Sequence, residues 1–156
     1  MARNTVKLKK YVDIIIERKA LETVYPGQLV KVNADDTVSA HDVEGGVAAV
    51  LLALEDELQG RGLDWERYAY TAGQPVQVWC AVPGEVANVE VPPTVTIERG
   101  NYLASDGLGG FKVAEAGENV VGMAMEAWDG TAEGTYGYIP MMVCTGVQIS
   151  ESESGS

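Results

Sequence analysis

His41 is the one imidazole of the chain, set in Ser39-Ala40-His41-Asp42. A Ser-His or Cys-His dyad would have to use it, and no second imidazole exists to share a metal. Its polar neighbours read as a loop, so we expect a surface or loop-packing role. Asp35, Asp36, Asp42 and Glu44 are hard-oxygen donors of the kind calcium takes, but they lack the alternating spacing and terminal bidentate Glu of an EF-hand. They read as a solvated acidic loop. Glu55-Asp56-Glu57 offers paired carboxylates for glycosidase-like acid-base work, yet nothing in the pattern raises one pKa above the other. A charged cap on an apolar strand is the simpler reading.

Gly107-Leu108-Gly109-Gly110 lacks the Gly-Lys-Ser/Thr of a phosphate cradle and reads as a β-turn. Cys80 and Cys144 are too few and too far apart for a disulfide framework or a zinc site, and each is expected to be a small buried hydrophobe. Trp65, Trp79 and Trp128 are neither clustered nor interleaved with Lys or Arg, which argues against a base-stacking surface. No catalytic residue, metal or cofactor is therefore assigned.

The elements that would carry these residues are short strands. Gly occurs 18 times and Phe once, and Val and Ala dominate the apolar set, a composition suited to strands joined by tight turns. We expect strands at Val12 to Ile16, Leu29 to Val32, from Val38, and at Val47 to Leu54 after the Gly45-Gly46 pair. Val76, Val78, Cys80 and Val82 alternate up to Pro83-Gly84, and Val89 and Val91 alternate beyond it, which predicts a β-hairpin ended by Pro92-Pro93. Further strands are predicted at Val95 and Ile97, Tyr102 and Leu103, Phe111 to Val113, Val120 to Met125 and Ile139 to Val147. Only Glu55 to Gly60 and Leu63 to Tyr68 have helix-like composition. The reading is mainly β: a small barrel-like or sandwich-like domain with one or two short helices and an extended N-terminal arm.

The chain divides into a basic arm with the first strand (1–24), a β domain (25–149) and a tail without apolar residues (150–156), expected to be disordered. Residues 1–19 hold six basic residues against two acids, for +4, and the rest holds five against 21, for −16. The net charge of −12 opposes broad association with nucleic acid or anionic lipid. A basic arm on an acidic body suits an acidic partner, and Arg3, Lys7, Lys9 and Lys10 are the candidate docking residues. The longest apolar run, Val47 to Leu54, is too short to cross a bilayer as a helix. The start lacks a small-residue cleavage site, so we expect the chain to be intracellular when made.

Within 25–149 one arrangement recurs. Gly27-Gln28-Leu29-Val30, Asp36-Thr37-Val38 and Ala53-Leu54-Glu55 are echoed by Gly100-Asn101-Tyr102-Leu103, Gly109-Gly110-Phe111 and Ala124-Met125-Glu126. This predicts two related β-units, each closing its second strand against its first.

Five segments then carry a resemblance. Tyr25 to Val30, Gly45 to Asp56 followed by Gln59-Gly60, Thr71 to Val76, Val82 to Glu85 and Gly100 to Gly107 stand in an order that resembles the capsid decoration, or cement, proteins of tailed bacteriophages, over about residues 25 to 130. The resemblance implies a small β-rich protein without catalytic activity that binds the outside of a mature icosahedral head, commonly as trimers at local three-fold positions. Its partners would be the major capsid protein and copies of itself, and its place the outer surface of the virion. Met123, Met125, Trp128, Met141 and Met142 are candidates for the subunit seam, with plain core packing as the other reading for each. The competing class is a small-molecule-binding or enzymatic β-barrel domain.

Overall fold

The computed structural model describes residues 5–10, 13–55 and 69–150. Among them strand makes up 43% and helix 3%, so the chain is mainly β. Thirteen strands follow in order: β1 (Lys7–Lys9), β2 (Ile15–Lys19), β3 (Val30–Val32), β4 (Val38–Ala40), β5 (Leu51–Ala53), β6 (Pro75–Cys80), β7 (Val86–Val91), β8 (Thr96–Ile97), β9 (Tyr102–Ser105), β10 (Phe111–Val113), β11 (Gly122–Ala124), β12 (Trp128–Asp129) and β13 (Gly137–Val143). One four-residue helix, α1 (Gly130–Glu133), sits before β13, capped by the Asp129 carboxylate and ended by Gly134 in the left-handed region. Past Glu55, both segments with helix-like composition lie outside the described residues.

The large sheet has six strands in the order β1-β7-β13-β11-β9-β10, and the smaller one three in the order β2-β6-β5, with β3-β4 and β8-β12 as separate pairs. Every ladder is antiparallel. None of the sheets closes into a barrel, and the arrangement is sandwich-like. Alternation decides which side chains fill it. Ala87, Val89 and Val91 of β7 and Ile139, Met141 and Val143 of β13 enter one core with Leu103, Phe111 and Ala124, together with Leu29, Leu52 and Trp79 from the smaller sheet and its neighbour. A second cluster joins Val76 and Val78 of β6 to Val30 and Val38 of the β3-β4 pair.

Three strand expectations are corrected. The hairpin predicted across Pro83-Gly84 does not form: β6 pairs with β2 and β5, while β7 pairs with β1 and β13. The turn is present, but β7 is buried along its whole length, and two half-exposed strands folded on each other could not cover it. The chain instead crosses between sheets there, with Gly84 donating to Val143 at 2.9 Å. Of Val47 to Leu54 only β5 is strand, and Val47 is 82% exposed. The strand placed at Val12 to Ile16 is β2, shifted toward Lys19.

Among the described residues a single kind of turn recurs five times, at 25–28, 71–74, 82–85, 98–101 and 115–118. In each, the fourth residue's N–H donates to the first residue's carbonyl at 3.1 to 3.2 Å. The fourth side chain, from Gln28, Gln74, Glu85, Asn101 or Glu118, accepts the first residue's N–H at 2.7 to 3.0 Å. The third residue is always Gly with φ between 83° and 92°, the place where this turn forces a left-handed backbone. The motif satisfies both polar groups of the first residue without a neighbouring strand.

The two stretches that echo each other in sequence share a pattern of pairing and backbone hydrogen bonds. In the first unit β4 pairs with β3, and in the second β10 pairs with β9. Gly27 N–H donates to Ala53 and Ala53 N–H to Gln28 at 2.8 and 3.0 Å; Gly100 and Ala124, then Ala124 and Asn101, repeat this at 2.8 and 2.9 Å.

Candidate functional site

The basic arm is built into the fold from Thr5 onward. Glu55, buried just after β5, accepts from the Thr5 hydroxyl at 2.6 Å and the Val6 amide at 3.0 Å. Val6 is fully buried in the main core, and β1 then pairs with the edge of β7. The carboxylate read as a strand cap is thus the clamp of the arm; Asp56 and Glu57 lie outside the described residues. Lys7 and Lys10 both reach Asp13, at 2.8 and 2.6 Å. The Lys10 and Lys7 hydrogen bonds hold the Asp13 carboxyl below its usual range. Lys9 remains exposed, and Arg3 lies outside the described residues.

Register brings Lys9 together with part of the proposed seam. Across the large sheet Lys9 faces Val86, Val86 faces Met142, Met142 faces Met123 and Met123 faces Tyr102. Directly opposed side chains share a face, so Val86, Met142, Met123 and Tyr102 line up on the side turned away from the main core, and Lys9 joins the end of this row across a bulge that shifts the β1-β7 register between Lys7 and Lys9. Tyr102 is 38% exposed, and Met123 and Met142 are half-buried. Tyr102 did not figure among the seam candidates; its alternation with Leu103 on β9 was the available signal.

Met141 is corrected: it is fully buried on the opposite face, packed where a Cβ on Gly122 would meet its side chain. Trp128 stands apart in the β8-β12 pair, its ring against Gly137 and its N–H donating to Pro92 at 3.2 Å. Met125, half-buried beyond β11, bonds Pro140 through its amide.

The acidic loop is an array of separate partnerships. Asp36 pairs with Arg18 and Asp42 with Lys31, each at 2.6 Å, and Asp35 caps Thr37. Glu44 meets Lys112 at 2.8 Å, and Lys112 also meets Glu118 at 2.7 Å and Glu115 at 3.7 Å. Burial favours the neutral amine of Lys112, but the bonds from Glu118 and Glu44 and the nearby charges of Glu118 and Glu115 outweigh it and push the pKa well above the usual lysine value. No group of three or more metal-binding side chains occurs among the described residues.

His41 is buried, and its role is loop packing. Nε2 lies 3.2 Å from the Val47 carbonyl, which can only accept, so Nε2 carries the proton and the Ser105 hydroxyl donates to Nδ1 at 2.7 Å. The imidazole therefore ties the segment before β5 to the second unit. Asp106 forms the predicted turn at 107–110, its Oδ1 accepting from Leu108 and Gly110 at 2.7 and 2.9 Å. Trp79 is a core side chain. Cys80 and Cys144 are half-buried, less enclosed than expected, and burial raises both thiol pKa values, which disfavours the reactive thiolate. Among the described residues no helix is long and apolar enough to cross a membrane.

No protein-family model matches this chain, and no curated protein matches it in sequence.

Proposed function

We propose that the chain is a non-enzymatic decoration protein that binds the exterior of a tailed-bacteriophage head and stabilises it, with the major capsid protein as its partner and a homotrimer as its working form. The observation that carries this reading is the order of the five quoted segments. Four of them, beginning at Tyr25, Thr71, Val82 and Gly100, contain or adjoin the recurring Gly turn, so the resemblance lies in the residues that set the strand framework. A strongly acidic body also suits a protein displayed in many copies on a particle, where like charge resists aggregation. The row from Lys9 to Tyr102, basic at one end and apolar along Met142 and Met123, is the surface we assign to contact between copies. Several weak footprints engaged at once hold a shell better than one.

The test is co-sedimentation of the full chain with assembled shells and, separately, with unassembled coat subunits. Binding to shells, with density at three-fold or quasi-three-fold positions, is expected. Monomers at hexamer centres would overturn the trimer, and absence of shell binding would overturn the function. Met123→Glu with Met142→Glu should abolish the trimer while preserving the β circular dichroism spectrum. Deletion of residues 1–4, which removes Arg3 and leaves the Glu55 clamp intact, should flatten the salt dependence of shell binding.

A further inference from the structure

The two units differ on the free side of their first strand. In the second unit the ladder continues: Gly122 faces Leu103, and Val121 N–H donates to the Leu103 carbonyl at 2.9 Å. In the first unit it stops after the single bridge between Leu29 and Leu52. Leu51 N–H turns back to the Ala49 carbonyl at 2.9 Å, the Val50 carbonyl still accepts from Ala81 at 3.0 Å, and residues 47–49 leave the sheet. His41 holds that departing segment through Val47.

An edge of backbone is left open. His41 N–H donates to Leu29 and Asn33 N–H to Thr37, so in the β3-β4 register the odd residues of β3 bond to β4. Val30 and Val32 therefore aim their amides and carbonyls the other way; the Leu29–Leu52 bridge meets that side beside Val30, and beyond it β5 leaves the place beside Val32 open. Val32 meets no backbone partner there among the described residues. Between this edge and residues 47–51 lies a groove of about 370 Å³, its walls apolar at Val32, Val43, Val47 and Leu51 and polar at the Lys31–Asp42 ion pair. Val32, Val43 and Val47 are 43%, 55% and 82% exposed, an apolar rim facing water.

We propose that this groove takes an extended peptide segment of another chain, aliphatic at alternate residues and flanked by a basic one, which adds to β3 as a strand. A polypeptide fits because the bare groups are those of a β-ladder, and because the second unit fills its corresponding place with residues 121–122 of its own chain. The basic flank follows from charge: the body beyond residue 19 carries −16, which repels an acidic segment and attracts a basic one. This assignment does not depend on the capsid reading.

The probe is a capped Lys-Val-Thr-Val-Thr-Val hexapeptide titrated into the ¹⁵N-labelled full chain. Saturable shifts are expected at the amides of Val30, Val32 and residues 47–51. N-methylating alternate peptide residues should weaken binding by about tenfold or more, since ladder bonds are lost. Replacing the Lys by Glu should weaken it several-fold at low salt. Val32→Pro removes an amide that β4 does not use and should abolish binding with the circular dichroism spectrum unchanged; if that variant fails to fold, the N-methylated peptide decides. Shifts elsewhere, no shifts, or equal binding of the N-methylated peptide would overturn the proposal.

Discussion

The unit from Gly27 to Ala53 and the unit from Gly100 to Ala124 begin and end on the same pair of hydrogen bonds, yet the second is a closed three-stranded ladder and the first splays into a groove. The Gly turn fixes where a strand starts, because it is satisfied locally. How far the ladder then runs depends on what else claims the outgoing segment. In the second unit residues 122–124 are held between β9 and β13. In the first, the imidazole of His41 takes the Val47 carbonyl, and the segment rejoins β6 and its continuation only from Val50, whose carbonyl accepts from Ala81.

The largest difference should lie in the turn glycines themselves. Gly27 and Gly100 have φ of 84° and 90°, but a Cβ on Gly27 would come within 2.8 Å of the Tyr138 ring, whereas one on Gly100 meets nothing within 4 Å. Gly100→Ala carries backbone strain alone, about 1–2 kcal/mol, and Gly27→Ala adds overpacking, for roughly 2–4 kcal/mol. Urea denaturation of both variants checks this, and equal losses would break the comparison.

The lysine pairs come next. Lys112 is 13% exposed among three carboxylates, while Lys31 is 36% exposed and holds Asp42 alone. Lys112→Met leaves Glu44, Glu115 and Glu118 uncompensated and should cost roughly 1–3 kcal/mol; Lys31→Met should cost about 0.5 kcal/mol or less. Thermal melts of both proteins at low salt distinguish them.

A smaller contrast concerns the fourth turn residue. Gln28 is 6% exposed and also reaches Glu90 at 3.4 Å, so Gln28→Ala removes hydrogen bonds made in a buried setting and should cost about 1–2 kcal/mol. Asn101 is only half-buried, and Asn101→Ala should cost about 0.5–1 kcal/mol. Chevron or equilibrium unfolding data resolve the difference.

The smallest effect is on titration. The Lys31 hydrogen bond lowers the Asp42 pKa below 3.8, so this pair's contribution is present above pH 3.8 and is lost as pH falls through the folded value. For Lys112 the sign is opposite: the folded pKa is raised, so its contribution is present below pH 10.5 and is lost only as pH rises through the higher folded value. Side-chain ¹⁵N spectra should show Lys112 still charged as pH rises past 10.5.

Much of the frame was legible in the sequence. Gly107-Leu108-Gly109-Gly110 announces its turn through Gly, and Val30, Val38, Phe111 and Ala124 fall on the strands they predict. Val76 to Val91 shows where such reading fails. Alternation on both sides of Pro83-Gly84 identifies two strands and a turn, but a hairpin and a crossover between sheets share that local pattern. The row from Lys9 to Tyr102 was hidden for a similar reason, since its five members come from five different strands.

By itself, the sequence determined the mainly β class, the turns and the segregation of charge, because glycine φ, alternation and net charge are local or additive quantities. Only the tertiary structure decided the clamp of Glu55 on the arm, the full burial of Met141 against the half-burial of Met142, and the splay between β3 and β5. Each of these depends on which strands become neighbours, and that is settled by competition among distant segments for the same backbone edges and the same core volume.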